Sequence, residues 1–286
     1  MHMREKANIN PDSDYEVIRD TLTLEKIYFS PGSHYIWRGY SCIDELKPSF
    51  ARIHQNKFNL LEEIKQVYKS FLAENKLGNY PFPMPRIFER GIFDKDFDIK
   101  ARNIQRYPSS DKDLLQVLSF IQHKYGGTSL IDFSDNFLKA LFFAVGKRED
   151  WEKSDSHLLG IDKLYFSDAK HRNRKQFPFD IYWPSYYLNT RIQHQEGLFI
   201  YQVFDTSKGN EQPYQNIMDL LKGEEKNFSW KEIKIENIIE DNKNGGHNHS
   251  IAYCDITIPI EQKHPISNFL SEIGITSEYI FCTAVL

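Results

Sequence analysis

Cysteine is scarce in this 286-residue chain, which holds only Cys42, Cys254 and Cys282. The three are odd in number, far apart and outside any Cys-x-x-Cys spacing, which argues against a disulfide framework and against a zinc site. A reducing cytoplasm is the expected compartment. Long apolar runs are missing too: nothing approaches the roughly 20 residues of a membrane span. The polar opening MHMREKANINPDSDYE has no hydrophobic stretch of the signal-peptide kind, so no membrane partner is expected. Basic charge is not in excess either, since 36 Lys and Arg face 40 Asp and Glu for a formal net charge of −4. Phosphates can therefore be gripped only by a local patch. Glycine-rich phosphate loops, a nucleophile elbow, internal repeats and a carboxylate pair at glycosidase spacing are all lacking. His247 and His249 with Cys254 offer no fourth ligand, so no metal is expected.

Aromatics, by contrast, are abundant at 14% of the chain, with 21 Phe and 16 Tyr. They suit a core built on β-sheet or a base-stacking surface. The length fits one large domain, here a polar leader over 1–20 and a single domain over 21–286. TLTLEKIYF (21–29) and YIWRGY (35–40) read as two strands joined by a turn. A helix is predicted from 59 to 77, with Glu62 and Glu63 in the first turn where the helix dipole favours them. YPFPMP (80–85) cannot be helical. A second helix is predicted over 111–125, with Ser110 and Asp113 in a capping-box arrangement. On it Gln122 follows Leu115 and Leu118 on the inward face, so a polar amide needs partners there.

GGTSLIDFS (126–134) reads as a turn and a short strand, and DNFLKALFFAVGKR as a third helix capped by Ser134. Ala140 and Ala144 on that helix leave room for a close neighbour. Further strands are predicted over 156–166, 197–204, 230–236 and 249–260, and short helices over 213–223 and 266–275. The order of elements points to an α+β fold.

The residue that most needs explaining is Arg38. In YIWRG it sits between aromatic and β-branched residues and shares a strand face with Ile36 and Tyr40. Either it satisfies a buried carboxylate, with Asp132 in LIDF as the obvious partner, or it lines a cleft and holds an anion. Gly39 after it marks a close approach of backbone or ligand. Gln122 and His123 either bridge the turn at KYGGT or border a pocket at the helix end, where His123 would be a candidate general base. Thr128 and Ser129 are loop hydroxyls beside Asp132. Lys170, Arg172, Arg174 and Lys175 form the most basic stretch, either a phosphate-contacting loop for RNA or DNA or a solvated loop.

Four blocks carry a resemblance: YIWRGYSCIDELKPSFAR (35–52), FIQHKYGGTSLIDFSDNFLKALFFAV (120–145), RIQHQEGLFIY (191–201) and FLSEIGITSEYIF (269–281). In order and spacing they resemble the FRG domain family, with Trp37 in the aromatic position of its signature and Tyr40 where a glutamine is usual. Gly127 and Thr128 match the loop before the family's Leu-Asp-Trp/Phe segment. A second resemblance is to ADP-ribosyltransferases of the Arg-Ser-Glu type, through a strand arginine with glycine, a central strand bearing Ser or Thr and a late Gln/Glu strand edge. It implies a mixed or antiparallel β core with flanking helices, and cleavage of NAD with transfer of ADP-ribose to a protein or nucleic-acid acceptor. On that likeness Arg38 would hold the pyrophosphate of NAD and Gly39 the carboxamide. Gln122, Thr128, Ser129 and Asp132 would be ribose or nicotinamide contacts, and Gln195 or Glu196 would orient the ribose hydroxyl and the acceptor. The family's setting implies a toxin or phage-defence role with a neutralising antitoxin partner. The alternative is a non-catalytic binding module around an Arg–Asp polar core.

Overall fold

The computed structural model describes residues 16–23, 35–54, 57–79, 84–88, 105–108, 112–146, 153–163, 166, 178–185, 189–221, 225–232 and 253–282. Its main sheet has seven strands: β1 (Tyr35–Tyr40), β2 (Leu130–Ser134), β3 (Ser156–Asp162), β4 (Phe179–Tyr182), β5 (Gly197–Gln202), β6 (Glu225–Ser229) and β7 (Tyr253–Ile258). Besides a helical segment over 16–23, the α-helices of the described residues are α1 (Ser49–Ile53), α2 (Leu60–Lys76), α3 (Lys112–Tyr125), α4 (Phe137–Val145), α5 (Thr190–Gln195), α6 (Ile217–Leu221), α7 (Ile260–Glu272) and α8 (Ser277–Phe281).

Spatial order in the sheet is β6-β7-β3-β1-β2-β5-β4, and every neighbouring pair is antiparallel except β6 with β7. The fold is therefore α+β with a mostly antiparallel sheet. Because side chains alternate across a strand, the sheet separates two cores. Ile36, Tyr40, Leu159 and Ile161 join one with Ile64 and Val67 of α2 and Leu118 of α3. Trp37 and Leu158 join the other with Phe137 and Leu141 of α4 and Ile266 and Leu270 of α7. With helices on both faces, β5 is buried along its whole length, which fits its nearly continuous apolar sequence.

The helices start where short polar side chains can cap them. Asn59 accepts from the Glu62 backbone at 3.1 Å and opens α2. Asn136, not Ser134, caps α4 by accepting from the Lys139 backbone at 3.1 Å. Ser134 is instead the last residue of β2, where its Oγ donates to the Gln195 carbonyl at 2.7 Å and accepts from the Asn136 backbone at 3.0 Å. Three further expectations are corrected. Residues 21–23, expected as the start of a strand, finish a helix that begins by residue 16, with Val17 and Thr21 buried one turn apart. Trp230–Glu232 is a 3-10 turn rather than the start of a strand. The helix expected from 266 begins at Ile260 and takes Pro265 into its interior. The strand expected over 24–29 lies outside the described residues, as do GGHNH and the basic stretch at 170–175.

Candidate functional site

One strand has two very different edges. Against β3, β1 pairs without a break from Tyr35 opposite Asp162 to Tyr40 opposite His157. Against β2 the register consists of Trp37 opposite Ser134. Past that point the strands part, and Arg38 reaches into the gap: its Nη1 donates to the main-chain oxygen of Asp132, and its Nη2 donates to the Glu45 carbonyl at 2.6 Å. The expected Arg38–Asp132 tie thus runs to the backbone of Asp132 and not to its carboxylate. On the opposite face Gly39 lies hard against α4. A Cβ there would collide with the carbonyl of Ala140 and the amide of Ala144, and would stand 2.9 Å from the Ala144 Cα. The missing side chain of Gly39 is therefore demanded first by helix packing, with Ala140 and Ala144 supplying the small surface.

The parting leaves a hollow of about 210 Å³ lined by Trp37, Arg38, Gly39, Gln122, His123, Asp132, Phe133, Ser134, Ala140, Phe143, Arg191 and Gln195. Gln122 closes its inner wall, as its inward place on α3 required. Its Nε2 donates to Asp132 Oδ2 at 3.0 Å, and its Oε1 accepts from Thr128 Oγ1 at 2.7 Å and Ser49 Oγ at 3.2 Å. This network fixes the Asp132 carboxylate, the one carboxylate among the lining residues.

His123, next along α3, sits edge-on to Phe199 with ring centroids 5.4 Å apart, and its Nε2 is buried without a hydrogen-bond partner. Burial holds its pKa below the ordinary histidine value. Asp132 opposes that shift and the Arg191 guanidinium adds to it, so near pH 7 the ring is neutral and can accept a proton.

Arg191 and Gln195 enter from α5, whose N-terminus is capped by Asn189. Spaced i, i+4, they share one face of its single turn and a half. Arg191 Nη1 donates to the His123 carbonyl at 3.3 Å, its guanidinium lies 4.9 Å over the Phe281 ring, and its Nε is buried with no partner. Gln195 is buried and gives only a long 3.4 Å hydrogen bond to the Ile280 carbonyl. Two guanidinium groups against one carboxylate give the hollow a local positive charge on a chain of net charge −4.

The site residues read from sequence therefore divide. Arg38, Gly39, Gln122, His123, Asp132 and Gln195 converge on the hollow. Glu196 does not: it ends α5 in the left-handed conformation at φ 45°, which turns its carboxylate out to Lys139 Nζ at 2.8 Å and Asn136 Nδ2 at 3.3 Å. Thr128 and Ser129 are buried behind the wall; Thr128 is spent on Gln122, and the Ser129 backbone donates to Glu63. Lys170, Arg172, Arg174 and Lys175 lie outside the described residues. Arg191, Ser134 and Phe143 were missed. For Arg191 a signal existed, because RIQHQ places it one helical turn before Gln195.

Among the described residues no group of three or more His, Cys, Asp and Glu could hold a metal ion, and no helix is long and apolar enough to cross a membrane. Residues 33–153 match the family model of the FRG domain. That stretch supplies Arg38, Gln122, His123 and Asp132, whereas Arg191 and Gln195 lie beyond it. No curated protein and no solved structure matches the chain.

Proposed function

On the premise that residues 33–153 are an FRG domain, we propose that the protein is an NAD-dependent ADP-ribosyltransferase acting on a macromolecular acceptor, RNA or DNA, in a toxin or phage-defence role held in check by an antitoxin. The observation that carries this reading is the polar hollow between the parted strands β1 and β2, where an arginine, a fixed carboxylate, a neutral histidine and a glutamine meet. An ADP-ribosyltransferase-like core would present such a cleft in an antiparallel sheet.

In the reaction the C–N glycosidic bond breaks with its electron pair leaving on nicotinamide. The acceptor heteroatom then bonds to the ribose carbon and gives up its proton. Positive charge grows on the ribose in between, so a fixed negative group beside it lowers the barrier. Asp132 fills that role, held by Gln122 at 3.0 Å. The Gln195 amide, only weakly engaged, orients the ribose hydroxyls, and neutral His123 takes the acceptor's proton. Arg38 has both terminal nitrogens committed to carbonyls; it keeps the strands apart and charges the hollow. A space of about 210 Å³ is smaller than the roughly 300–1,000 Å³ of whole-ligand pockets, so it seats the nicotinamide-riboside end and leaves the rest of the dinucleotide outside.

Incubation of the pure chain with labelled NAD and bulk RNA, DNA or protein tests the proposal. Nicotinamide release and label transfer are expected, with Asp132→Asn and Gln195→Ala each lowering the rate by about 10²-fold or more. Absence of both with every acceptor, after removal of any bound inhibitor, overturns it. The binding-module reading is favoured by one observation, the commitment of Arg38 to two carbonyls. It predicts NAD binding without nicotinamide release.

A further inference from the structure

A second and larger space opens beside the hollow. It measures about 540 Å³ and lies between the C-terminal end of α4, helix α7 and helix α8, with Phe142, Phe143, Ile275 and Phe281 among its walls. Phe143 lines both spaces. Arg191 stands at the junction: it lines the hollow, while its guanidinium covers the Phe281 ring of the groove at 4.9 Å.

The two arginines differ in what they have left to offer. Arg38 donates through both Nη1 and Nη2 to main-chain oxygens. Arg191 makes one hydrogen bond, at 3.3 Å through Nη1; a buried Nε without a hydrogen-bond partner is common to the two residues, so the difference lies in the terminal nitrogens. A buried guanidinium N–H without an acceptor is costly unless a ligand supplies one. The cation–π contact with Phe281 restrains the guanidinium, which lowers the entropy cost of gripping an anion.

We propose that Arg191 is the anion-binding residue of the site, taking the phosphates of a nucleoside diphosphate whose base lies in the groove of Phe142, Phe143 and Phe281. The occupant is fixed by continuity: a polar hollow, a fixed guanidinium and an aromatic groove follow one another, as do riboside, phosphates and base along a dinucleotide. Phe142 and Phe143 each meet Phe281 edge-to-face, with centroids 6.2 and 6.0 Å apart, which gives a base both ring faces and ring edges to contact. Glu278, in the same groove, offers an acceptor to an exocyclic amine or a ribose hydroxyl. The inference rests on the proposed function only in taking the ligand to be a nucleotide; it moves the phosphate contact from Arg38 to Arg191.

Calorimetric titration of the full chain with ADP, adenosine and inorganic phosphate tests it. ADP binds, adenosine binds more weakly by about tenfold or more, and ADP affinity falls as salt rises. Arg191→Met weakens ADP by about ten- to a hundredfold, and Arg191→Lys, which keeps the charge but loses the fork, by less. Phe281→Leu weakens ADP and adenosine alike by about tenfold. Should Arg191→Met lower the melting temperature, the Arg191→Lys series and the salt dependence decide. Equal affinity for ADP and adenosine, no ADP binding at millimolar concentration, or ADP binding indifferent to Arg191 overturns the proposal. Nicotinamide release separates the two claims. NAD cleavage with ADP binding that ignores Arg191 leaves the transferase reading standing and ends this one, and Arg191-dependent ADP binding without NAD cleavage does the reverse.

Discussion

The two edges of β1 show how one strand serves structure and site at once. Toward β3 it is zipped over six residue pairs; toward β2 the ladder lasts for Trp37 opposite Ser134 and is then replaced by the side chain of Arg38. The closed edge spends backbone groups on each other. The open edge gives the Asp132 carbonyl a guanidinium donor, so the strands stand apart without leaving that oxygen unpaired. A cleft within a sheet requires such a substitute, and Arg38 supplies it.

The largest effect is expected where the strand is anchored. Gly39→Ala drives a Cβ into the α4 backbone at Ala140 and Ala144, and neither the helix nor the doubly flanked strand can yield cheaply. A loss of about 3 kcal/mol or more in urea-unfolding stability follows from overpacking of this kind. A loss below about 1 kcal/mol would mean that α4 is free to slide and that the closed edge is not rigid.

The open edge is held from below by Glu63, which sharpens the contrast through pH. Glu63 is fully buried, and its carboxylate accepts from the Ser129 backbone just ahead of β2. Burial outweighs that hydrogen bond and pushes its pKa up to about 7. In the unfolded chain the group titrates near the ordinary glutamate value of about 4.5. Between the two values the unfolded state releases a proton that the folded state keeps, so stability falls as pH rises through this window and levels off above it. Relative to the native chain, Glu63→Gln should gain on the order of 3 kcal/mol at pH 8 and nothing near pH 4, read from urea midpoints across pH. A pH-independent difference would show that Glu63 does not titrate in that range.

Arg38→Met removes the prop. Two main-chain oxygens lose a charged donor, although water entering the hollow can rehydrate the Asp132 carbonyl, so a cost of about 2 kcal/mol is expected. Amide exchange supplies the finer readout: protection should drop in residues 130–134 and hold in 156–162.

These edges were unevenly legible in the sequence. Helix α2 with Glu62 and Glu63 in its first turn, helix α3 with an inward Gln122, and the alternation of YIWRGY follow from local rules, and all are present. Of the four quoted blocks, those at 35–52 and 120–145 lie within the FRG family match over residues 33–153, and those at 191–201 and 269–281 lie beyond it. What local rules could not supply is which strand lies beside which, because β1 sits between β3 and β2 through contacts about a hundred residues apart in sequence. The same gap explains Glu63. Its place in the first turn of α2 favours a carboxylate, but only the tertiary fold lays Ser129 over it and makes it buried. Arg191 was overlooked for a related reason, since α5 is too short to show an amphipathic period of its own.

The smallest effect is expected at Glu196, where the end of the open edge meets α5. The Glu196 carbonyl accepts from the Asp135 backbone at 2.9 Å, but its side chain is 46% exposed and pairs with Lys139 at 2.8 Å, away from the hollow. A half-exposed pair of this kind contributes about 0.5 kcal/mol. Glu196→Gln should therefore shift stability by no more than about that amount and leave nicotinamide release within about twofold, whereas Gln195→Ala, one residue earlier, should lower it by about a hundredfold. The contrast tests the placement directly, because the two side chains leave the same turn in opposite directions. If Glu196→Gln proved as damaging as Gln195→Ala, the reacting carboxylate would be Glu196, and Asp132 would be left holding the wall in place.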